Sequence, residues 1–200
     1  MDSLNYIKSH IEKTIATKQA ILADEGLMNR IVEAADLCIT ALKNGKKVIF
    51  AGNGGSAADS QHLAAEFVSR FNFDRPGLAS IALTTDTSML TAIGNDYGFL
   101  QIFARQLQAN AQQGDVFFGI STSGNSANIL EAVYLAKKMG VTTVALCGSA
   151  GKLPDVCDLT LNVPSTCTPY IQESHISIGH IICGIVEKIM FSHLKPAETK

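Results

Sequence analysis

The chain has 200 residues, 46% of them hydrophobic, which is enough for one ordinary domain with a substantial core. Sixteen basic and eighteen acidic residues nearly balance, so neither nucleic acid nor a membrane surface is expected as a partner. The N-terminal segment lacks the apolar core of a signal peptide, and no uninterrupted apolar stretch is long enough to span a bilayer, which favours a cytoplasmic protein. The five scattered cysteines fit buried free thiols.

Two helices are predicted ahead of the first strand. Leu4, Ile7, Ile11 and Ile15 fall at helical spacing, and a second helix is predicted from about Leu27 to Lys43. No sheet face is assigned to these helices, so they pack either on the domain or on copies of themselves. We expect a single domain over residues 1–200, with residues 1–45 forming oligomer contacts.

Short apolar strands alternate with helices through the rest of the chain. Strands are predicted at 48–51, 78–83, 116–120, 141–147 and 159–163, and a last apolar helix from about Ile171 to His193. This alternation is typical of a parallel sheet with helices on both faces. We therefore predict a doubly wound α/β fold with a five-stranded parallel sheet.

A glycine-rich turn follows the first predicted strand. The run Gly52-Asn53-Gly54-Gly55 leads into a helix with Ser56 in a capping position and Asp59 three residues later. Unpaired amides and the helix dipole would make this turn a site for an oxyanion. It fits the loose G-x-G-x-x-A dinucleotide pattern, but no acidic residue ends the second strand at the Rossmann spacing. A tight turn without a ligand is the simpler alternative.

A second loop, Ser121-Thr122-Ser123-Gly124-Asn125-Ser126, follows the third predicted strand and begins a helix. Ligands of open parallel sheets bind at the carboxyl ends of strands, where this loop lies. Hydroxyls and helix amides without a lysine suit a phosphate monoester better than a nucleoside triphosphate. A helix cap with spare serines is the alternative.

His62 and Glu66 lie four residues apart on the helix after the glycine turn and therefore share one face. A basic and an acidic side chain next to an anion site could carry out proton transfer. Arg70 extends the same face by another turn, so a solvated pair between Glu66 and Arg70 is also plausible.

Three further candidates lie elsewhere. Gln172 and His180 are on the last helix among isoleucines, where a lone histidine is more often a hydrogen-bonded core residue than a ligand. Asn95-Asp96 falls in a predicted turn between Gly94 and Gly98. Taken alone, each feature favours the structural alternative, but their joint occurrence favours a site.

At these residues the chain resembles the SIS (sugar isomerase) family, and within it the phosphoheptose isomerases. Four motifs carry the resemblance, which runs through most of the chain: GNGGSAADSQHLAAEFVSRF, IGNDYGF, GDVFFGISTSGNSANILEA and IQESHISIGH. It implies an enzyme that interconverts sedoheptulose 7-phosphate and D-glycero-D-manno-heptose 7-phosphate, the first step toward the heptose of bacterial lipopolysaccharide. It also implies a homotetramer with active sites between subunits.

The resemblance also assigns roles to residues. It implies Glu66 as the base and His180 as its acid/base partner. Hydroxyl side chains would hold the phosphate, at Ser121, Thr122, Ser123 and Ser126. Other polar groups would line the sugar, at Asn53, Gly54, Gly55, Ser56, Asn95, Asp96 and Gln172, with Arg70 as a further candidate contact. One Zn²⁺ per subunit, and no nucleotide, is implied at the matching positions His62, Glu66, Gln172 and His180.

The chemistry agrees with these residue types, because moving a carbonyl between C2 and C1 through an enediol needs a base and a second acid/base. A metal could polarise the carbonyl, although a zinc-bound Glu66 would be a poorer base, and zinc could instead organise the site. Gln172 and His180 are about 12 Å apart along one helix, far for one ion. Hence one of them would come from a neighbouring subunit, or Gln172 would precede the regular helix.

The sequence departs from the family pattern at one place, and three alternative functions remain. Pro169-Tyr170 stands where the family commonly has a polar pair containing arginine, which affects contacts at one edge of the sugar. The rivals are a non-catalytic SIS adaptor that binds a replication initiator protein, a sugar-phosphate-sensing module, and an isomerase of another sugar phosphate. The adaptor lacks the Glu and His of the isomerase pair, and sensing modules are usually joined to a DNA-binding domain. The enzyme is therefore favoured.

Overall fold

A computed structural model describes residues 2–194 and contains a five-stranded, wholly parallel sheet in the order β2-β1-β3-β4-β5. The strands are β1 (Val48–Gly52), β2 (Ser80–Ala82), β3 (Val116–Ser121), β4 (Thr142–Cys147) and β5 (Leu159–Asn162). The helices are α1 (Ser3–Ala23), α2 (Glu25–Lys43), α3 (Gly55–Val68), α4 (Thr87–Tyr97), α5 (Ile102–Asn110), α6 (Ala127–Lys138), α7 (Leu153–Val156) and α8 (Thr168–Phe191). The predicted doubly wound fold is confirmed.

Two apolar layers bury the sheet, because successive strand residues point to opposite faces. In β1, Val48 and Phe50 point into a layer formed by α2, α3 and α8, whereas Ile49 and Ala51 point into a layer formed by α5 and α6. All residues of β1 and β3 are buried, which explains why these strands read as continuous apolar runs.

Helix α8 is the central element of the first layer. It packs on α2 and α3, and its buried face includes Ile171, Ile178, Ile182 and Val186. By length and composition Thr168–Leu194 could also cross a membrane, so the expectation that no stretch is long enough was wrong. Its burial against two helices is that of a core helix.

Several boundaries differ from the sequence prediction. Helix α8 begins at Thr168, earlier than predicted, and the four-residue helix α7 was missed. After α4 the chain forms a 3-10 turn, Phe99–Gln101, which leads directly into α5. Among the cysteines, Cys167 is exposed, contrary to the expectation that all are buried. These differences lie at helix ends and connections, where local propensity is weakest.

Candidate active site

The two predicted loops meet at the switch point of the sheet. The chain runs from β1 to β2 on one side and returns to β3 on the other, so a crevice opens between the carboxyl ends of β1 and β3. The glycine turn follows β1, and the serine loop follows β3. The fold therefore brings two loops predicted to bind anions to one place.

At the glycine turn the Ser56 and Ala57 amides donate to the Asn53 and Gly54 carbonyl oxygens, both at 3.0 Å, so among the first three amides of α3 only that of Gly55 has no backbone partner. Helix α3 begins at Gly55, and its N-cap is Gly54 with φ of 58°, a value that favours glycine. Because Gly54 is the N-cap and no side chain caps the helix, the predicted capping role of Ser56 is wrong. Ser56 lies in the first turn and is buried, because its backbone packs directly on Gly52.

The serine loop is held by its own hydrogen bonds. The Oγ atoms of Ser121 and Ser126 are 2.8 Å apart, and that of Ser123 lies 3.4 Å from Ser121. Gly124 has φ of 65°, and a Cβ there would lie 2.5 Å from the Ala150 carbonyl oxygen. Ser126 is the N-cap of α6 but makes no side-chain bond to the helix backbone. Its hydroxyl and the first α6 amides are thus available to a ligand.

An amide pair that the sequence analysis missed links the two loops. Asn53 and Asn128 donate to each other through Nδ2, with both N–O distances 2.9 Å. Asn128 is buried in the first turn of α6. Because each amide is both donor and acceptor, the pair fixes the glycine turn relative to the serine loop.

A cluster of imidazole and carboxylate groups lies between α3 and α8. The Nε2 atoms of His62 and His180 are 2.8 Å apart, and Glu66 Oε1 is 3.4 Å from His62 Nε2. The hydrogen bond requires one ring to carry its proton on Nε2 and the other to accept there. The ring of Phe71 packs on His180 with centroids 5.4 Å apart. The structure thus brings His180 of α8 to the His62–Glu66 pair of α3, from which it is more than a hundred residues away in the sequence.

Gln172 lies elsewhere. Its side chain packs on Gly55 at the start of α3, where a Cβ would lie 1.8 Å from Gln172 Nε2. Gln172 and His180 both belong to the unbroken helix α8, so the alternative that Gln172 precedes the regular helix is wrong. Within one chain, Gln172 contacts α3 at the glycine turn, whereas His180 contacts α3 two turns further along that helix. The alternative that the neighbouring subunit supplies one of them stays open.

Asn95, Asp96 and Arg70 are not where the pattern suggested. Asn95 and Asp96 lie in the last turn of α4 rather than in a loop, and Asn95 Nδ2 donates to Asp96 at 2.8 Å. Both are exposed, and α4 has no buried residue. Arg70 lies beyond the end of α3, so it does not extend the face that carries Glu66.

A cavity of about 210 Å³ opens beside the glycine turn. It is lined by Asn53, Gly54 and Thr84 and by apolar groups that include Leu90, Phe99 and Phe103. Elements of the β1–α3 turn thus face α4 and the 3-10 turn that follows it. The cavity is of a size for one small molecule.

Asp59 is a further candidate, one turn before His62 on α3. Burial raises the pKa of its carboxyl group to about 6, and Oδ2 is buried without a hydrogen-bond partner. The sequence analysis gave Asp59 only a capping role. A buried carboxyl group with a raised pKa close to His62 is a signal of function that the sequence did not carry.

The side chains predicted to bind zinc do not form a ready metal site. Within residues 2–194, no three His, Cys, Asp or Glu side chains form a ready metal-binding group. Ligand atoms of a tetrahedral zinc lie roughly 3.3 Å from one another, and the distance from His62 to Glu66 is 3.4 Å. The two histidine nitrogens, at 2.8 Å, would have to separate by about half an ångström. The donor types of His62, Glu66 and His180 fit zinc, whereas the fourth predicted ligand, Gln172, lies at Gly55.

Comparison with known proteins gives the class of protein to which this chain is similar. A family model described as the SIS domain matches residues 10–148. A phosphoheptose isomerase of Aneurinibacillus thermoaerophilus is 60% identical over 188 residues, which are 94% of this chain and 95% of the relative.

Solved structures of phosphoheptose isomerases from Neisseria gonorrhoeae and Francisella tularensis are 43% and 40% identical, with TM-scores of 0.87 and 0.90. They match 92% and 94% of this chain, and 98% and 100% of their own. The chain belongs to the SIS domain family and, within it, to the phosphoheptose isomerases.

Proposed function

We infer that this chain interconverts sedoheptulose 7-phosphate and D-glycero-D-manno-heptose 7-phosphate through an enediol. The observation that carries this inference is the meeting of Glu66, His62 and His180 between α3 and α8. Membership of the phosphoheptose isomerases supplies the substrate. We place the reaction in the cytoplasm, at the first step toward the heptose of lipopolysaccharide.

Each part of the site has a role in this reaction. The serine loop and the first amides of α6 hold the phosphate, since they offer hydroxyl and N–H donors without a competing carboxylate. Asn53 and the glycine turn hold the sugar end. Glu66 moves the proton between C1 and C2, and His180 moves the hydroxyl protons. His62, in contact with both groups, fixes their relative orientation.

Proton transfer from solvent tests this mechanism. We expect wild type to form the aldose in deuterated water with deuterium at C2, and Glu66→Gln and His180→Gln to lose turnover by at least about a hundredfold. Glu131→Gln, a matched change on α6 away from the cluster, should keep wild-type turnover. No turnover by zinc-supplied wild type would refute the assignment, and binding to a replication initiator protein would then be tested.

We also propose that His62, Glu66 and His180 hold one Zn²⁺, with Gln172 supplied by a neighbouring chain. When bound, the ion would organise these side chains rather than strengthen Glu66 as a base, because a zinc-bound carboxylate is a poorer base. Metal analysis of the purified protein should find about one zinc per chain, and the double variant His62→Ala/His180→Ala should reduce that content to background. An unchanged content would exclude these ligands.

A homotetramer is proposed from the apolar surface of the N-terminal helices. On α1, Leu4, Ile7, Ile11 and Ile15 are all at least half exposed. An apolar groove beside them is lined by Ile21, Leu22, Met28 and Val32 and by Ile181 and Ile185 of α8. Exposed apolar surface of this extent marks an interface. Mass measurement in solution should give four chains, and Ile11→Glu/Ile15→Glu should give fewer.

A further inference from the structure

We propose that a buried ion pair, Arg75 with Glu187, positions both proton carriers of the proposed reaction. The inference rests on the proposed function, because it concerns Glu66 and His180 as proton carriers. Arg75 Nε and Glu187 Oε1 are 3.2 Å apart, and both side chains are almost fully buried, at 2% and 1% exposure. The pair and residues 69–75 are called the Arg75–Glu187 clamp below.

Arg75 satisfies the open end of α3. The last carbonyls of a helix have no partner within it, and α3 has no basic residue in its last turn. Arg75 supplies the cation from beyond the helix: Nη2 donates to the Glu66 carbonyl oxygen at 2.7 Å, and Nη1 to that of Phe67 at 2.6 Å. The guanidinium thus holds the backbone of the proposed base itself.

Glu187 positions the other proposed proton carrier, His180, through the loop of residues 69–75. Its two oxygens accept from the backbone N–H groups of Phe71, at 2.8 Å, and Asn72, at 2.6 Å. The Phe71 ring packs on His180. Glu187 and His180 are seven residues apart on α8, so they share one face roughly 10 Å apart. The loop is therefore fastened to α8 beside the imidazole.

The energetics favour a positioning role. Burying two charges costs free energy that their attraction seldom exceeds, so a buried pair is weak evidence for stability alone. Here the remaining donors and acceptors are used on backbone groups of α3 and the loop, including contacts of Arg75 Nη1 with the Ser69 and Pro76 carbonyl oxygens. The clamp fixes the α3 end, the loop and α8 relative to one another. Displacement of catalytic groups by about 1 Å can cost a hundredfold in rate.

A matched pair of variants separates positioning from stability. Glu187→Gln keeps the side-chain shape but removes the charge and one acceptor for a loop amide. Asp115→Asn makes the same change at another fully buried carboxylate, which accepts from the Lys47 and Gln112 backbone amides and from Lys47 Nζ. Asp115 precedes β3, at the edge of the sheet opposite the site. Both variants should lower the melting temperature.

Of these two variants, Glu187→Gln alone should lower kcat, by about 10- to 100-fold, with KM within about twofold because the serine loop is untouched. Arg75→Lys keeps the charge but loses the guanidinium fork, so it should lower kcat in the same way. Hydrogen exchange at residues 66–72 should accelerate in Glu187→Gln and stay unchanged in Asp115→Asn.

Wild-type kcat in Glu187→Gln, or an equal loss of kcat in Asp115→Asn, would overturn the inference. Absence of turnover in wild type would instead refute the proposed function. In that case hydrogen exchange still decides whether the clamp exists. Unchanged exchange at residues 66–72 in Glu187→Gln would mean that there is no clamp, and faster exchange in that variant alone would support the clamp.

Discussion

Acid should destabilise this protein through His175, a histidine on α8 that is completely buried. Neither ring nitrogen makes a hydrogen bond of good geometry, and burial lowers the pKa from 6.5 to about 4; the nearby Cys147 backbone opposes this shift and Lys18 of α1 adds to it. In the unfolded chain the ring takes a proton below about 6.5, whereas in the folded chain it does so only near 4. The unfolded state therefore gains protons first, and stability falls as the pH drops between these values.

The size of the effect follows from the shift. Each pKa unit corresponds to about 1.4 kcal/mol, so the full shift is worth about 3 kcal/mol, most of it already lost at pH 4.5. His175→Leu removes the titrating ring without opening a large cavity. The difference in unfolding free energy between wild type and this variant should therefore move by about 2 to 3 kcal/mol between pH 7.5 and 4.5.

Urea unfolding at one fixed protein concentration measures this difference, because any association of chains makes stability depend on concentration. Ile178→Leu, a volume-conserving change on the same helix without a titrating group, is the control and should give the same difference at both pH values. A shift below about 1 kcal/mol for His175→Leu would show that the buried ring accepts a proton in the folded state, and the reasoning would fail.

Four other substitutions test the serine loop and the starts of three helices. Ser126→Ala should raise KM about tenfold while changing stability by less than about 0.5 kcal/mol, because this cap makes no side-chain bond to its helix. Asp24→Ala, at the cap of α2 that accepts from Leu27, should show the reverse in steady-state kinetics and thermal unfolding: about 1 kcal/mol lost and KM unchanged. Gly124→Ala should abolish substrate binding and hence turnover, since its Cβ meets a backbone carbonyl at positive φ and displaces the serine loop; retention of substrate binding by calorimetry would contradict this. Gly55→Ala should displace only the flexible end of Gln172, so a crystal structure should show that side chain moved and the α3 backbone unchanged.

The fold was predictable because its signals are local and repeated. Buried strands such as β1 and β3 are apolar over their whole length, and glycines or serines follow them at the edge where parallel strands end. Periodicity alone therefore predicts the class and the loops. Helix ends were predicted less well: the start of α3 has no capping side chain for a pattern to reveal, and α4 continues through Asn95-Asp96 as far as Tyr97.

The site was predictable only in part, because the rest depends on contacts across the chain. The pairing of His62 with His180 spans 118 residues, and family resemblance rather than spacing indicated it. The Asn53–Asn128 bridge joins residues that are 75 positions apart in the sequence, and the Arg75–Glu187 pair joins residues that are 112 positions apart. No local pattern marks either contact. Asp59 needed burial to become a candidate, and burial is a property of the folded chain.

Helix α4 should tolerate amino-acid substitutions better than α3 and α8 do. None of its residues is buried, yet it lines the cavity through Leu90 and carries Asn95 and Asp96. Substitutions there risk little folding free energy, whereas substitutions on α3 and α8 disturb buried packing. Evolution or laboratory selection could therefore alter the α4 side of the cavity while the proposed proton-transfer groups on α3 and α8 stay untouched. With α4 as a proposed sugar-contacting helix, substrate range and chemistry could evolve separately in this architecture.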